Sequence, residues 1–584
     1  MNKAFKAIWS DVRQSFVTTS EIQSSHGKRS KASVSLSVAT VLLATSGLVP
    51  AAYVETGTLG DKASWETAEY NYNWGLGAMN ASSAYALGFY GQNTTTGVMD
   101  SGAWLGNPDL DTPRITATHV TGVYDSSGNR YPQSIYATIQ KGVVPTAAEG
   151  QPFTEGEEFD VKGDYTLGLN DAHGTQVTGV IGAERNGEYG HGVAFKANVV
   201  VGNTGATDNN NYGPFQDYNY YFKGYKALAD AVNAGNGEYR GGMVNNSYGT
   251  NTKIYSSGGH RLTPDEMSEL LAGSGNYDRA SAAYAVTFSG DYSFLGLNDV
   301  PGADQYSTNP SAFEWEYMYF KLKYGDKPSF LDGAYDAVKG TNVILSWAAG
   351  NQDRGTPYLK GLYPYFHPEA EKNWLNAVGV MQTRGDNDQY MQATYCKAGL
   401  AKWWSMSGPT AYPGIGTTYV TTDLENGRLT TTGFNGTSAS DPQISGAFTV
   451  LQSRYPSMTA IQVKDVMYTT ASHIGANGQP FTNWTAAEGT PDVIYGWGMP
   501  DLEKGMYGPG QFLDHFEYRL SEPLDVWSND ITEAGLQQRE KEDKAWMTAT
   551  KNGTDPDAGG EYTLGDDIVV LDGNLDFYDN TVSP

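Results

Sequence analysis

The chain has a single cysteine, Cys396, in 584 residues. It cannot close an intramolecular disulfide, and no Cys/His cluster has the spacing of a zinc site. Basic residues are also scarce: 38 Lys and Arg stand against 65 Asp and Glu, a formal net charge of −27. The first 52 residues are the exception, with Lys3, Lys6, Arg13, Lys28, Arg29 and Lys31 against Asp11 and Glu21. The remainder is therefore more acidic still. Nucleic acids and anionic membrane surfaces are recognised through a basic footprint, which this chain lacks. An apolar run from about Val34 to Val49 is too short and too rich in small residues for a comfortable membrane span.

That run has another use. A basic stretch, Gly27-Lys28-Arg29-Ser30-Lys31, precedes it, and Pro50-Ala51-Ala52 follows. Charged start, apolar middle and small-residue end make a secretory signal. At the other end, residues 551–580 carry eight acidic residues and one basic residue, Lys551, which reads as a solvated tail. The expected organisation is an extended secretory signal over 1–52, a large catalytic domain over 53–510, and an acidic segment over 511–584.

Chemistry concentrates in four short segments. Asp100 ends Thr96-Gly97-Val98-Met99-Asp100-Ser101-Gly102, where a short apolar strand delivers a carboxylate into a glycine turn. His173 opens His173-Gly174-Thr175-Gln176-Val177, the start of a buried helical pattern, and could serve as a general base. Asn351 follows the buried-strand run Val343 to Gly350 and could present an amide donor. Ser438 lies in Gly436-Thr437-Ser438-Ala439-Ser440-Asp441-Pro442, ahead of apolar positions Ile444, Ala447, Phe448, Val450 and Leu451. A serine at a helix start has a free backbone N–H and a dipole that favours negative charge, as on a tetrahedral oxyanion. Each segment has a bland reading: a turn Asp, a surface His, a turn Asn, a Ser helix cap. Their joint occurrence, each at the end of an element, favours the catalytic one.

Apolar β-type runs occur at 97–100, 198–202, 242–247, 343–349 and 375–381. Helical patterns fall near 173–183, 222–234, 330–339, 438–454 and 459–471. This alternation predicts an α/β domain with a mostly parallel sheet and catalytic groups at the carboxyl ends of strands. Residues 105–165 and 251–330 are rich in Gly, Tyr, Asn and Asp and read as loop or hairpin insertions.

The order Asp, His, Ser and the local motifs resemble the subtilisin-like serine peptidases (subtilases) over about residues 70–510. Asn351 matches that family's oxyanion Asn. Ser247-Tyr248-Gly249 resembles its substrate strand, whose backbone pairs with an extended peptide, and Ala349 and Gly350 would face the same peptide. His191-Gly192-Val193-Ala194 and Tyr495-Gly496-Trp497-Gly498 are further landmarks. The chain departs from the family pattern after the nucleophile, with Ala439-Ser440 in place of Met-Ala, and Asp441 adds a charge to the serine helix. Gln176 replaces a frequent second histidine.

The long N-terminal region resembles the signal of Gram-negative autotransporters. Gly508-Pro509-Gly510-Gln511-Phe512-Leu513 and Val526-Trp527-Ser528-Asn529-Asp530-Ile531 resemble the start of a β-stem. The resemblance implies a three-layer subtilisin-like domain and a secreted or surface-bound endopeptidase acting on polypeptides as a monomer, with an outer-membrane barrel in cis in any longer precursor.

No cofactor is required. Acidic loops such as Glu155-Gly156-Glu157-Glu158 offer oxygen ligands for calcium, but solvated loops are the favoured reading of them. Two rival readings are a catalytically weak passenger acting as an adhesin or binding module, and an esterase. The absence of a Gly-x-Ser-x-Gly elbow around Ser438 argues against the α/β-hydrolase version of the esterase. The signal reading expects an exported protein whose first residue is near Ala52 or Tyr53, and N-terminal sequencing checks this. An exported chain that keeps Met1 would refute it.

Overall fold

A computed structural model of the chain describes residues 5–10, 15–20, 53–129, 152–164, 172–204, 217–248, 328–351, 355–383, 386–392, 395–410, 415–416, 421–423, 428–431, 433–487 and 489–507. Residues 1–52 and 53–584 are separate compact units. In the first, Phe5–Ser10 and Ser15–Ser20 pair as an antiparallel hairpin. The apolar run at 34–49, Gly249, most of the second expected insertion and the segment after Tyr507 lie outside the described residues.

The second unit is organised by an eight-stranded sheet. Its strands are β1 (Thr95–Asp100), β2 (Ile115–Ala117), β3 (Asn198–Asn203), β4 (Gly242–Asn246), β5 (Val343–Ala348), β6 (Trp374–Thr383), β7 (Asp386–Gln392) and β8 (Ser405–Pro409). The order across the sheet is β7-β6-β5-β4-β1-β3-β2, and β8 pairs with β6. All pairs are parallel except β6–β7. β1 is buried throughout, as expected of a strand covered on both faces. The first expected insertion, 105–165, is one only in part: Ile115–Ala117 is the edge strand β2 of the sheet, while His119–Val123 with Glu158–Lys162 and Gly128–Asn129 with Pro152–Phe153 form small antiparallel pairs.

Helices cover both faces. α1 (His173–Gly182) and α4 (Thr437–Arg454) pack against each other on one face. α2 (Tyr218–Asn236) and α3 (Phe330–Val338) pack together on the other. α5 (Ala460–Thr469) packs on α4. Local sequence sets their starts: the Asp217 carboxylate accepts the Tyr220 N–H at 3.0 Å, and Ser329 with Asp332 and Thr459 with Gln462 form capping boxes. α4 is buried from Thr437 to Gln452, which suits a helix enclosed on all sides.

Strand alternation decides which residues meet which helix. Val98 packs in a cluster with Val177, Val180 and Ile181 of α1, whereas Met99 belongs to the cluster containing Leu228 and Val232 of α2. Asp100, two residues after Val98, therefore points to the α1 face.

An aromatic cluster lies beneath the N-terminal part of this unit. Trp65, Tyr85, Tyr90 and Phe195 stack at centroid separations of 5.1–6.4 Å. His191 packs edge-on to Phe195 at 5.0 Å. Arg185 Nη1 donates to His191 Nε2 at 3.0 Å, and His191 Nδ1 donates to the Gly192 carbonyl at 2.8 Å. Arginine can only donate, so the ring is fixed as the neutral Nδ1–H tautomer. Burial and then the Arg185 charge push the His191 pKa down to about 3 from its ordinary 6.5.

A histidine depressed in this way adds stability above pH 6.5 that is lost progressively as pH falls towards about 3. The melting temperature should therefore drop more steeply between about pH 7 and pH 4 in the native chain than in His191→Gln, which still offers Arg185 an acceptor but takes up no proton. Parallel melting curves for the two proteins would remove His191 as a source of acid sensitivity.

Candidate active site

Five strand or helix ends converge at the carboxyl-terminal edge of the sheet. Asp100 is the last residue of β1, and Ser247 and Asn351 follow β4 and β5. His173 and Ser438 are the first and second residues of α1 and α4. β1 lies between β4 and β3, where the chain switches direction across the sheet. Open α/β sheets bind ligands in the crevice outside such carboxyl ends.

The Asp100 carboxylate is wholly buried. Its Oδ1 lies 2.8 Å from His173 Nδ1 and accepts the Ser101 N–H at 2.7 Å. A carboxylate at Nδ1 keeps that nitrogen protonated and leaves Nε2 as the basic nitrogen. The Ser101 hydroxyl accepts the Gly174 N–H at 3.0 Å, so the Asp turn also holds the first turn of α1. Gly174 is required for this contact, since a Cβ there would lie 2.1 Å from the Gly102 carbonyl oxygen. The His173 ring meets Phe434 edge-on at 5.3 Å and stays partly open to solvent.

Asn351 is held with its amide oriented. The Thr437 N–H and hydroxyl both donate to Asn351 Oδ1, at 2.8 and 2.9 Å. A backbone N–H can only donate, so the atom facing it must be the oxygen, and the Asn351 NH₂ points away. Thr437 Oγ1 in turn accepts the Gly350 N–H at 3.1 Å. Asn351 itself is exposed.

Ser438 Oγ donates to the Ser247 carbonyl at 2.6 Å. The nucleophile candidate thus rests against the expected substrate strand, with its one hydroxyl proton on that carbonyl. As the second helical residue its N–H has no intrahelical acceptor. Pro442 lacks an N–H, so the Ser438 carbonyl also has no donor four residues on.

The structure therefore brings together Asp100 with His173, Asn351 with the turn before Ser438, and Ser438 with Ser247. Ala349 and Gly350 form the approach to Asn351, the Ala349 carbonyl accepting the Tyr358 N–H at 2.9 Å. The Tyr248 side chain is turned into the core. Its hydroxyl lies 2.7 Å from that of Tyr225, and Lys360 Nζ is 4.3 Å above its ring. Tyr248 can meet a peptide only through its backbone.

The sequence reading missed two features. One is the Thr437 clamp on Asn351, for which the Thr immediately before the serine was the available signal. The other is Asp441, which is wholly buried rather than solvated. Burial pushes its carboxyl up to about 7, opposed by hydrogen bonds from Ser346, Asn245, Asn246 and Ser247. Cys396 is buried, and its N–H donates to the Gly350 carbonyl at 3.1 Å. Among the described residues no group of three or more His, Cys, Asp or Glu could hold a metal ion.

Residues 91–498 match the family described as "Subtilase family", and residues 1–50 match the "Extended Signal Peptide of Type V secretion system". The chain is 25% identical over 482 residues to "Extracellular serine protease" of Serratia marcescens, covering 79% of this chain and 36% of that protein. It is 32% identical over 195 residues to "Serotype-specific antigen 1" of Mannheimia haemolytica, covering 33% and 19%. It is 23% identical to "Neisserial autotransporter lipoprotein NalP" of Neisseria meningitidis, covering 42% and 21%. The chain thus spans about a third or less of these relatives' length. Among solved structures, fervidolysin from Fervidobacterium pennivorans aligns at a TM-score of 0.38 and 16% identity, over 76% of this chain and 48% of that one.

Gly436 stands at φ +83°, and a Cβ there would meet the Asn351 amide at about 2.9 Å. Gly436→Ala should therefore cost roughly 1–3 kcal/mol from backbone strain alone and displace the amide as well. Denaturant unfolding reads the first effect, and turnover per titrated serine reads the second. An alanine variant with native values of both would show that neither constraint acts.

Proposed function

The chain belongs to the subtilase family, and from that premise we propose that it is a secreted serine endopeptidase working through Ser438, His173 and Asp100. The observation that carries this reading is the Asp100–His173 contact of 2.8 Å at the start of α1, a helix that packs on α4, of which Ser438 is the second residue. The match of residues 1–50 to an extended type V signal agrees with a secreted or cell-surface protein of a Gram-negative bacterium.

In the resting chain the Ser438 proton is held by the Ser247 carbonyl. A peptide laid along Ser247 and Tyr248 as an added strand brings its own backbone N–H to that carbonyl. Ser438 is then released to turn towards His173. Nε2 of His173 takes the hydroxyl proton as Oγ attacks the scissile carbonyl carbon, and the C–O bond forms as the carbonyl π pair moves to oxygen. Asp100 holds the resulting imidazolium. The oxyanion meets the Ser438 N–H and the Asn351 NH₂, both fixed before the charge develops, so little reorganisation is required. His173 then protonates the leaving amine, and water, activated by the same imidazole, cleaves the acyl-enzyme.

The related names "Extracellular serine protease" and "autotransporter" agree with proteolysis outside the cell and with a membrane barrel in cis in a longer precursor. Domain limits of 53–510 for the peptidase and 511–584 for the start of a stem remain part of the proposal.

Ser438→Ala or His173→Ala should lower turnover by roughly 10⁶-fold, with the double variant little worse, because the two act as one unit. Asn351→Leu should lower turnover by roughly 10²–10³-fold with little change in the Michaelis constant, since the donor acts only on developing charge. Steady-state kinetics on a casein-like substrate check all three. Full activity of Ser438→Ala would sink the mechanism. Full turnover of a folded Asn351→Leu would remove the oxyanion role.

A further inference from the structure

Asp441 sits three residues after Ser438 on α4 with no exposed surface. Its two oxygens reach two different strands. Oδ1 accepts the Ser346 hydroxyl of β5. Oδ2 accepts from the last residues of β4 and the one beyond: Asn245 Nδ2 at 2.5 Å, the Asn246 N–H at 3.2 Å and the Ser247 hydroxyl at 3.5 Å. Asn245 Nδ2 also donates to Ser247 Oγ at 2.8 Å. These four partners are two hydroxyls, one side-chain amide and one backbone N–H, none of them charged. The Tyr225 phenol, which feels the Asp441 charge, is pushed well above its usual range chiefly by burial and stays neutral.

A closed loop results. Ser438 Oγ is bound to the Ser247 carbonyl, Ser247 and its two predecessors are bound to Asp441, and Asp441 returns to Ser438 through one turn of α4. A second branch runs through Ser346 to the strand that ends at Ala348, three residues before Asn351. Burying a carboxyl without a countercharge is unfavourable, and a chain gains nothing from it in packing.

We propose that Asp441 is a positioning residue, which fixes the nucleophile's helix against the substrate strand and the oxyanion strand. The proposal rests on the peptidase reading of the site. It is a role for a residue that touches neither the peptide nor the reacting atoms.

Donor and acceptor roles sharpen it. The Asn246 N–H and the Asn245 amide nitrogen can only donate, so the Oδ2 position must always be an acceptor. The Ser346 hydroxyl can donate or accept, so the Oδ1 position is served by an oxygen or by an N–H. An asparagine at 441, with its carbonyl at the Oδ2 position and its NH₂ towards Ser346, satisfies every partner. An alanine takes the Asp441 acceptor from the Asn246 N–H, leaves the Asn245 amide only its bond to Ser247 Oγ, and frees the end of β4.

The test uses the full-length chain, with active sites titrated by a serine-directed phosphonate. If the native chain takes up no phosphonate, the peptidase reading fails before this proposal is reached. If it labels, Asp441→Ala should lose about 10- to 100-fold in turnover per titrated site, as expected when a reacting group is misplaced by about an ångström. Asp441→Asn should restore turnover to within about threefold of native, because it keeps the acceptor. Ser346→Ala, which removes one branch and keeps the three Oδ2 donors, should stay folded with a somewhat lower melting temperature, since Asp441 Oδ1 loses its donor, and should lower turnover per titrated site. It carries the test if Asp441→Ala does not fold. Native turnover per titrated site in Asp441→Ala or Ser346→Ala would overturn the proposal and leave Asp441 a purely structural group. So would an Asp441→Asn protein as impaired as the alanine.

Discussion

One carboxyl group joins the parts of the molecule that must meet at the site. Asp441 binds side chains or backbone of β4, the residue after β4, and β5, from a position on α4. Parallel strands and the helices between them set those elements only to within a side-chain rotamer or a small slide. A buried acceptor with four neutral donors removes that remaining freedom, because shifting any one element strands a polar group away from water. Its elevated pKa records the same tension: desolvation disfavours the charge, and the donors partly offset it.

Legibility from sequence varied with the range of the interactions involved. β1, β3, β4, β5 and β6 and helices α1 to α5 followed directly from apolar runs and helical periodicity, since both are local. The placing of Asp100 was legible too, because Val98, Met99 and Asp100 alternate across a strand. The pairing of Asp100 with His173 came from motif order and resemblance, not from spacing. What stayed hidden depends on distant partners. Asp441 binds Ser346 and Asn245 across 95 and 196 residues of chain, so nothing next to it signals that it is buried. The orientation of the Asn351 amide is set by Thr437, 86 residues on. The inward turn of the Tyr248 ring follows from Tyr225, Trp347 and Lys360, none of them near it in sequence.

The lack of disulfides is balanced by aromatic packing. Trp65, Tyr85, Tyr90 and Phe195 form one continuous cluster around His191, and Trp347, Trp374 and Tyr363 stack at 4.9–5.5 Å beside the sheet. Such rings supply large buried area together with specific edge and face contacts. The chain can therefore be carried across an envelope without thiol pairing and still fold around a defined core.

Arg185 gives the amino end of this unit an unexpected importance. Its guanidinium is fully enclosed, stacks on Trp65, donates to the Trp65 carbonyl, and has the half-exposed Glu55 carboxylate as its ion-pair partner. Glu55 is the third residue of this unit, which starts at Tyr53. Loss of Glu55 would leave that buried cation without its ion-pair partner, with the buried Glu69 as a remaining opposite charge acting on it. The first few residues of the folded unit thus act as a seal, because they carry the carboxylate that pairs directly with an interior charge.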